Sequence, residues 1–562
     1  MSEILEKAKT WTLPPFDDKT IGLTKSLIEE NNSDLVDSFY KNLEFGTGGL
    51  RGIMGVGTNR INKYTIGMAT QGLANYLKTS FPDQDISVAI AHDSRNNSDY
   101  FTKVASNVLS GNGIEVFVFD GLRPTPQLSY TLRRLKCKAG IVITASHNPK
   151  EYNGYKVYWE DGGQLVPPHD KNVINEVQNI AIENIQFEGD ENLITVLGPE
   201  MDQEYRNTIK DYLSDDVDLT TKIVYTSIHG TGVTQIPELL EEMGYKNVFT
   251  VKEQDVADGN FPTVVSPNPE ESEALAMALS LGKEKDADII LGTDPDADRV
   301  GIAVKKTKSE TVLLNGNQTA AVMFYYILNK TELKPNHFVA KTIVTSELIA
   351  EIAKHFNVKL YNTLTGFKYI AEVINLKYGK EEFICGGEES YGYLIGDKVR
   401  DKDAVMSAAM LCETAAWAKL QGKSFYDLLL DIYVEVGFYR EHLISITKKG
   451  KTGLEEIKAM TESYRNNPPS ELGNIKVEAI SDYQLSVKSN LISGVKETIT
   501  LPQSNVIQFH LADGSLITAR PSGTEPKIKF YYSVKGELKS KENFDSAWAE
   551  LGNKIETFSK DL

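Results

Sequence analysis

The sequence has few cysteines, no long apolar run and no excess of positive charge. Its three cysteines, Cys137, Cys385 and Cys412, are too scattered for a disulfide framework or a zinc site, so we expect a reducing cytoplasm. No apolar run approaches the roughly 18 residues of a membrane span. The first residues also lack the basic and apolar regions of a signal peptide. These absences predict a cytoplasmic protein with no membrane partner.

The charge balance excludes further partners. Lys and Arg number 60 against 78 Asp and Glu, which gives a net charge of −18. This charge opposes general binding to nucleic acid or to anionic membranes. An anionic small substrate remains compatible, provided that basic residues gather locally beside glycine-rich turns.

The length of 562 residues predicts three or four domains. The first 200 residues alternate apolar β-rich runs with segments of helical spacing, as expected of α/β layers with a mostly parallel sheet. The predicted strands there are Ile86–Ala91, Ile114–Phe119 and Ala139–Ile143, and the predicted helices are Tyr100–Ser110 and Gln127–Lys136.

Changes in pattern predict four domains. The first three are α/β domains over residues 1–200, 201–312 and 313–436, and the last is an α+β domain over residues 437–562. For the last domain the sequence predicts an antiparallel sheet with strands at Ile475–Ile480, Thr498–Leu501, Val506–Leu511 and Ile528–Val534.

Ser146 lies in a loop, Thr144 to Pro149, directly after a predicted buried strand. Ligand sites of α/β proteins usually lie at such strand ends. A turn cap is the alternative interpretation of a serine beside a histidine, here His147. There is no Gly-x-Ser-x-Gly motif, which argues against an α/β-hydrolase nucleophile.

Asp294, Asp296 and Asp298 form the second chemical motif. In an extended segment, alternate residues point the same way, so the three carboxylates would converge on one cation. Their hard oxygen ligands favour Mg²⁺. An EF-hand is excluded because Arg299 stands where its glycine belongs and Lys305 where its glutamate belongs. A hydroxyl nucleophile and a carboxylate metal site together indicate metal-assisted phosphoryl transfer.

Two further stretches bring basic residues close to glycines. Phe45 to Gly52 is glycine-rich and contains Arg51, which can contact a phosphate, although an ordinary turn is the alternative. Asn153-Gly154 is expected to form a tight turn that returns Lys156 to the serine loop. In a cationic, partly dry site this lysine would have a lowered pKa and could move protons at a sugar hydroxyl.

Three later loops carry polar groups between glycines. Thr365 to Lys368 contains a turn and a lysine, and Gly386 to Gly392 offers carboxylates and a hydroxyl for sugar hydroxyls. Arg520 to Lys527 combines Arg, Ser and Thr with free backbone N–H groups around Gly523, as in a phosphate-binding nest.

Together and in this order, the loops resemble those of the α-D-phosphohexomutase superfamily, which includes phosphoglucomutases and phosphomannomutases. Thr144 to Pro149 is similar to its phosphoserine loop and Asp294 to Arg299 to its magnesium loop. Glu388 to Gly392 is similar to its sugar loop and Arg520 to Lys527 to its phosphate loop. The resemblance covers almost the whole chain and implies three related α/β domains with mixed sheets and a C-terminal α+β domain, around a central active-site cleft.

The resemblance implies a reversible isomerase that interconverts glucose 1-phosphate and glucose 6-phosphate. Phosphate on Ser146 would share one Mg²⁺ with the three aspartates, and glucose 1,6-bisphosphate would be intermediate and activator. The implied catalytic residues are Ser146, His147, Lys156, Lys368, Arg51 and Arg299. The implied substrate-binding residues are Thr365, Gly366, Glu388, Ser390, Arg520, Ser522, Gly523, Thr524 and Lys527. Sugar phosphates would be the partners of a monomer or homodimer.

Several alternatives remain open. Dual mannose/glucose members commonly carry a methionine and a histidine where this sugar loop has Glu389 and Tyr391-Gly392, so the resemblance favours glucose over mannose. Phosphopentomutase activity is the other enzymatic alternative on the same scaffold. A non-catalytic sugar-phosphate sensor, or a phosphatase that releases the phosphate of Ser146 to water, would be a different class of protein.

Overall fold

The computed structural model describes residues 2–30, 33–46, 48–448, 450–522 and 526–562. Gly523 and Thr524, predicted to bind phosphate, lie outside these residues. The chain divides into two units, described separately below. Unit 1 comprises Met1–Leu314, Ala371–Leu376 and Gly392–Gln421, and unit 2 comprises Asn315–Ile370, Lys377–Tyr391 and Gly422–Leu562.

Three short helices precede the first sheet, followed by alternating strands and helices. The elements are α1 Ser2–Thr10, α2 Asp18–Glu30, α3 Ser33–Phe39, β1 Gly49–Ile53, α4 Lys63–Ser80, β2 Ser87–His92, α5 Ser98–Gly111, β3 Glu115–Phe119, α6 Thr125–Arg134, β4 Ala139–Ile143, β5 Tyr152–Trp159, α7 His169–Gln178 and β6 Ile194–Leu197. The predicted strands are confirmed within one residue at each end, and the two predicted helices within two residues.

The first sheet has the order β1-β5-β4-β2-β3-β6. Strands β4, β2, β3 and β6 run parallel, whereas β5 is antiparallel to both β4 and β1. All five residues of β4 are buried, because a central strand covered on both faces has no solvated side. The serine loop, which follows β4, therefore begins at the end of a central strand of the sheet.

A second sheet follows in unit 1. Its elements are α8 Pro199–Lys210, β7 Lys222–Thr226, α9 Ile236–Glu242, β8 Asn247–Thr250, α10 Ala276–Lys285, β9 Ile289–Thr293, β10 Val300–Lys305 and β11 Thr311–Leu314, with the strand order β11-β10-β9-β7-β8. Strands β9 and β10 form an antiparallel hairpin. The three predicted metal ligands occupy its connecting loop.

The third α/β region contains α11 Gly316–Lys330, β12 His337–Thr342, α12 Leu348–His355, β13 Lys359–Thr363, α13 Phe367–Lys377, β14 Glu382–Gly387, β15 Tyr393–Ile395, α14 Ala404–Leu420 and α15 Phe425–Glu435. In unit 2, β12 pairs in parallel with both β13 and β14. The sugar loop directly follows β14, so it leaves the sheet at a carboxyl end.

The C-terminal region is built on an antiparallel sheet, as predicted. Its elements are β16 Phe438–Thr447, α16 Gly450–Asn466, β17 Glu471–Leu472, β18 Ile475–Asp482, β19 Val487–Asn490, β20 Lys496–Thr498, β21 Ile507–Leu511, β22 Leu516–Pro521, β23 Lys527–Gly536 and α17 Phe544–Asp561. The strand order is β16-β23-β22-β21-β18-β19-β20, and β17 pairs with β18.

The strand predicted at Thr498–Leu501 is wrong. The strand found there, β20, ends at Thr498, because Thr498 pairs with Val487, the first residue of β19. After Thr498, no residue of β19 is left to pair with the chain. The predicted fold class, three α/β domains with mixed sheets and an α+β domain, is confirmed. None of the described helices has the length and apolar character needed to cross a membrane.

Candidate active site

The serine loop leaves β4 through a strained backbone conformation. Ser146 has a φ of 52°, in the left-handed region that side chains other than glycine rarely adopt. Its backbone N–H donates to the Thr144 hydroxyl at 2.8 Å. This local hydrogen bond turns the chain at the strand end, and it leaves Ser146 only 3% exposed.

The Ser146 hydroxyl points at the predicted metal site. Its Oγ donates to Asp294 Oδ2 at 2.9 Å and lies 3.1 Å from His147 Nδ1. The nucleophile, the adjacent histidine and the first aspartate, which the sequence placed in different domains, thus form one cluster within unit 1.

The three aspartates do converge, although not for the predicted reason. Carboxylate oxygens of Asp294, Asp296 and Asp298 lie within 4.8 Å of one another. The segment is a tight turn between β9 and β10 and not an extended strand, and Ala297 has a left-handed φ of 49°. Asp294 Oδ1 accepts the backbone N–H groups of Asp298 and Arg299, which folds the turn around that carboxylate.

Two lysines approach the same carboxylates. Lys156 Nζ lies 2.6 Å from Asp296 Oδ2 and 3.0 Å from Asp298 Oδ2. Lys402 Nζ lies 3.2 Å from Asp298 Oδ2 and 3.1 Å from Asp401 Oδ1. Lys402 was missed from the sequence, where its charged surroundings suggest a solvated loop. One sequence feature could have identified it: the charged run Arg400 to Asp403 directly precedes a strongly apolar helix. Charged side chains are rarely buried unless they are paired, so charges next to a buried helix indicate a functional site.

The pKa values in the cluster diverge. Burial, reinforced by the neighbouring aspartates, raises the pKa of Asp294 well above its usual range. Burial also opposes ionisation of Asp298, but Lys156 and Lys402 outweigh it and lower its pKa. For Lys156, burial lowers the pKa whereas Asp296 and Asp298 raise it, and the net shift is upward. The expected lowering is therefore absent, because the surroundings are anionic.

The carboxylate cluster fits a divalent cation. Among the described residues, no hydrogen-bond donor reaches Asp296 Oδ1 or Asp298 Oδ1, although both atoms are buried. Buried acceptors without partners are costly and call for a ligand. A set of carboxylate oxygens and one serine hydroxyl is the donor set of a hard cation. The predicted metal-binding site is thus supported by its donor chemistry.

The remaining basic residues of the predicted site surround the serine loop. Arg51, on β1, lies 3.4 Å from the Asn148 side-chain oxygen, and Arg299 forms an ion pair with Glu270. His147 stays neutral at ordinary pH, because burial and the cationic Arg299 and Arg51 lower its pKa to about 3. It can therefore act as a hydrogen-bonding group near the serine, but not as a resident cation.

The predicted turn at Asn153-Gly154 is wrong. Both residues lie inside β5, where Gly154 pairs with Arg51 and Lys156 pairs with Gly49. Gly154 is required by packing, because a Cβ there would come within 2.5 Å of the Thr144 carbonyl oxygen. Lys156 reaches the site as a strand residue, and not by a turn.

The sugar loop forms a second cluster, in unit 2. Glu388 Oε1 accepts the backbone N–H of Gly366 at 2.9 Å, which joins two of the predicted substrate loops. Gly366 has a φ of 117°, and the hydroxyl of the preceding Thr365 is buried without a hydrogen-bond partner among the described residues. Lys368 Nζ lies 5.2 Å from the centre of the Tyr369 ring. Ser390 belongs to the same loop and is partly buried.

The predicted phosphate loop joins β22 to β23 in unit 2. Arg520 pairs with Lys529 across the two strands, and its guanidinium lies 3.5 Å from the Tyr531 hydroxyl. The Ser522 N–H donates to the Lys527 carbonyl at 2.7 Å, which closes the loop. Gly523 and Thr524 lie between these two residues, outside the described residues.

Glu389, which the sequence used only to judge sugar preference, is partly buried, and its carboxylate accepts from the Thr342 and Thr345 hydroxyls at 3.3 and 3.4 Å. Burial raises the pKa of Glu389, and the positive charge of Arg520 opposes that rise. The Glu389 carboxylate therefore links the sugar loop electrostatically to Arg520, which is predicted to bind phosphate.

A serine hydroxyl hydrogen-bonded to a buried carboxylate cluster, at the carboxyl end of a central strand, defines the site of a phosphoryl-transfer enzyme. The protein families that match this chain support the same enzyme class. Domains I, II and III of the phosphoglucomutase/phosphomannomutase α/β/α type match residues 42–183, 203–308 and 315–436.

Curated relatives extend the likeness along the chain. A phosphoglucomutase of Staphylococcus haemolyticus (strain JCSC1435) is 38% identical over 523 residues, covering 92% of this chain and 94% of that protein. A phosphoglucomutase of Staphylococcus aureus (strain USA300) is 38% identical over 537 residues, covering 90% and 95%.

Two solved structures share the fold. Parafusin from Paramecium, a phosphoglucomutase in its open form, has a TM-score of 0.70 at 18% identity, covering 92% of this chain and 95% of that one. A phosphoglucomutase/phosphomannomutase family protein from Burkholderia thailandensis has a TM-score of 0.66 at 16% identity, covering 92% and 96%.

The chain belongs to the phosphoglucomutase/phosphomannomutase family. The predicted family resemblance and the predicted enzyme class, an isomerase acting by phosphoryl transfer, are confirmed.

Proposed function

We propose that this enzyme interconverts glucose 1-phosphate and glucose 6-phosphate through phosphate carried on Ser146. The hydrogen bond from Ser146 Oγ to Asp294, at the edge of a buried carboxylate cluster, is the observation that carries the proposal. Relatives named phosphoglucomutase, identical at 36–38% over about nine tenths of the chain, support glucose as the sugar.

The first half-reaction transfers the phosphoryl group from Ser146 to the substrate. The sugar hydroxyl attacks the phosphorus of phosphoserine 146, a new bond forms between phosphorus and the sugar oxygen, and the bond to Ser146 Oγ breaks. The proton of the attacking hydroxyl passes to a nearby base. The product of the first half-reaction is glucose 1,6-bisphosphate, whose other phosphate then returns to Ser146. The bisphosphate is thus both intermediate and activator.

We propose Mg²⁺ as the cation that Asp294, Asp296 and Asp298 hold, together with an oxygen on Ser146. When bound, it would neutralise charge on the phosphoryl oxygens during transfer. The supporting observations are the oxygen-only donor set and the two buried carboxylate oxygens without donors in the described structure. Mg²⁺ suits such a set because it prefers hard oxygen ligands.

The basic residues around the serine loop have distinct proposed roles. Lys156 is the proposed proton carrier, since a cation bound by Asp296 and Asp298 would weaken their hold on its ammonium group. Arg51 and Arg299 steady the phosphoryl group, and neutral His147 donates or accepts a hydrogen bond at Ser146.

The loops of unit 2 are proposed to recognise the substrate. Glu388 and Ser390 accept and donate hydrogen bonds to sugar hydroxyls, with Thr365 and Gly366 beside them. The phosphate that does not react is bound by the loop Arg520, Ser522, Gly523, Thr524 and Lys527, and Lys368 adds positive charge. A buried Arg or a backbone nest is the usual partner of such a group.

We also propose a division into domains, a cellular compartment and an assembly for the protein. The three boundaries between the four proposed domains, at residues 200, 312 and 436, are supported by the separate sheets that the chain forms in each domain, and the second sheet ends with β11 at Leu314. A reducing cytoplasm is supported by three free, buried cysteines. A monomer or homodimer is the proposed assembly.

A substrate panel tests the proposal. Purified enzyme is supplied with Mg²⁺ and catalytic glucose 1,6-bisphosphate, and glucose, mannose and ribose phosphates are compared at equal concentration. We expect glucose phosphates to give the highest kcat/KM. A higher kcat/KM for ribose phosphates would identify a phosphopentomutase, and one for mannose phosphates a phosphomannomutase; either result would overturn the glucose assignment.

A further inference from the structure

A buried arginine that the preceding mechanism does not use lies directly beneath the serine loop. Arg95 follows β2, the neighbour of β4, and its side chain is fully buried. The guanidinium donates to four backbone carbonyls of one segment, those of Ser146 (2.6 Å), Asn148, Pro149 (2.9 Å) and Tyr152 (3.0 Å). One side chain therefore binds the backbone of the nucleophile itself and of the segment that follows it.

Asp93 completes this arrangement. Its carboxylate accepts the Arg95 backbone N–H at 2.9 Å and lies 3.2 Å from the Arg95 Nε. It also accepts the hydroxyl of Thr144 at 2.6 Å. That same hydroxyl accepts the backbone N–H of Ser146, so a chain of hydrogen bonds runs from Asp93 to the nucleophile.

The segment also contacts the second sheet's domain, which carries the carboxylates. The Phe261 ring lies 5.1 Å from the Arg95 guanidinium, and the Asn96 side chain donates to Asn260 at 3.0 Å. Both contacts are within unit 1. Arg95 therefore contacts both the serine loop and the domain that contributes Asp294, and it can fix the position of one relative to the other.

We propose that Arg95, held by Asp93, is a positioning residue for phosphoryl transfer: it fixes Ser146 in its left-handed conformation, so that Oγ faces Asp294. A left-handed serine persists only where its surroundings impose that conformation. Arg suits this role because its planar fork presents five donors, whereas Lys has three on a single flexible point. The proposal rests on the phosphoryl-transfer function proposed above.

The test replaces Arg95 by Lys, which keeps the charge beside Asp93 but cannot span four carbonyls. The matched control is Arg206→Lys, since Arg206 is also buried and paired, with Glu242 at 2.9 Å, but contacts no residue of the serine loop. Two quantities are measured: kcat and KM for glucose 1-phosphate, and amide hydrogen exchange of a peptide covering residues 144–152.

For Arg95→Lys we expect kcat to fall by about 100-fold, as small misplacements of reacting groups do, with KM changed by less than about threefold. Exchange of the 144–152 amides should accelerate, while exchange elsewhere in unit 1 stays as in the unmodified enzyme. Arg206→Lys should change neither kcat nor exchange in this peptide. An unchanged kcat, a lost kcat without faster exchange in the peptide, or faster exchange throughout the unit would overturn the proposal.

If Arg95→Lys does not fold, Asp93→Asn decides the question. It leaves Arg95 in place but removes the charge that orients it, and we expect a smaller fall in kcat with the same local change in exchange. Unchanged kcat and exchange in that variant would overturn the positioning role. Failure of the proposed function is recognised separately, because the unmodified enzyme would then not turn over sugar phosphates while the exchange result would still report on Arg95.

Discussion

Ser146 Oγ donates a hydrogen bond to Asp294 Oδ2 at 2.9 Å, although the two residues are 148 positions apart in the chain. Ser146 lies in the loop that follows β4 of the first sheet, and Asp294 begins the hairpin loop between β9 and β10 of the second. The fold of unit 1 therefore brings the nucleophile to the carboxylates. Such preorganisation is the main contribution a protein makes to phosphoryl transfer.

Replacing Ser146 by alanine should abolish isomerisation and leave sugar-phosphate binding nearly intact, because the hydroxyl carries the phosphate but does not hold the sugar. Turnover is followed by a coupled assay and binding by calorimetry. Ser106→Ala is the control, since Ser106 is also buried and donates only to the Thr102 carbonyl of its own helix. Undiminished turnover in Ser146→Ala would refute the phosphoserine mechanism.

Asp296→Asn should weaken Mg²⁺ activation by at least about 100-fold, since even groups that only orient metal ligands contribute 10- to 100-fold to affinity. The activating Mg²⁺ concentration is measured by titrating the metal into a chelator-treated enzyme. Asp286→Asn is a suitable control, because the Asp286 side chain is 62% exposed and forms ion pairs with Lys222 and Lys305. Equal Mg²⁺ curves for Asp296→Asn and the unmodified enzyme would exclude the proposed ligand.

Glu388→Gln should raise KM for glucose 1-phosphate by about tenfold or more, because hydrogen bonds to charged groups contribute about 1.5–3 kcal/mol. The amide can still accept the Gly366 N–H, so the loop should keep its shape. Glu382→Gln, at the exposed start of β14, the strand that precedes Glu388, is the control. If KM is the same in both variants, Glu388 does not bind the sugar.

Asp403→Asn should reduce the dependence of stability on pH. Burial raises the pKa of Asp403 to about 6 in the folded protein, against hydrogen bonds from Met406 and Tyr205 that oppose the shift. A carboxyl whose folded pKa exceeds its unfolded value, about 3.9, stabilises the protein at low pH, and that stabilisation is lost as pH rises through 6.

Asparagine also caps helices well, so the variant should fold and retain the N-cap of α14. Melting temperatures of both proteins are compared between pH 4 and 7.5. We expect the unmodified protein to lose more stability than Asp403→Asn across this range. Parallel curves would show that the pKa of Asp403 is not raised by folding, which would contradict the prediction.

Sequence patterns predicted the parts of the site that depend on local chemistry. A run of five apolar residues identified β4, and the serine loop necessarily begins where that strand ends. The aspartates were recognised as a metal site, but their convergence through a turn was not, since the left-handed Ala297 has no signal in side-chain chemistry.

The residues missed from the sequence act through distant contacts. Arg95 and Lys402 look like surface charges by composition, and only the fold buries them against the serine loop and Asp298. The Asn153-Gly154 pair resembles a turn, yet the neighbouring strands β1 and β4 impose an extended conformation on it. In each case tertiary packing overrode the local preference of the sequence.

The most direct test follows a single phosphate. Ser146 is labelled by incubation with glucose 1,6-bisphosphate that carries labelled phosphate, free sugar is removed, and unlabelled glucose 6-phosphate is added with Mg²⁺. We predict that the label leaves Ser146 within one turnover and appears in glucose 1,6-bisphosphate. Label released as inorganic phosphate would indicate a phosphatase, and a serine that never accepts label would contradict the proposed mutase cycle.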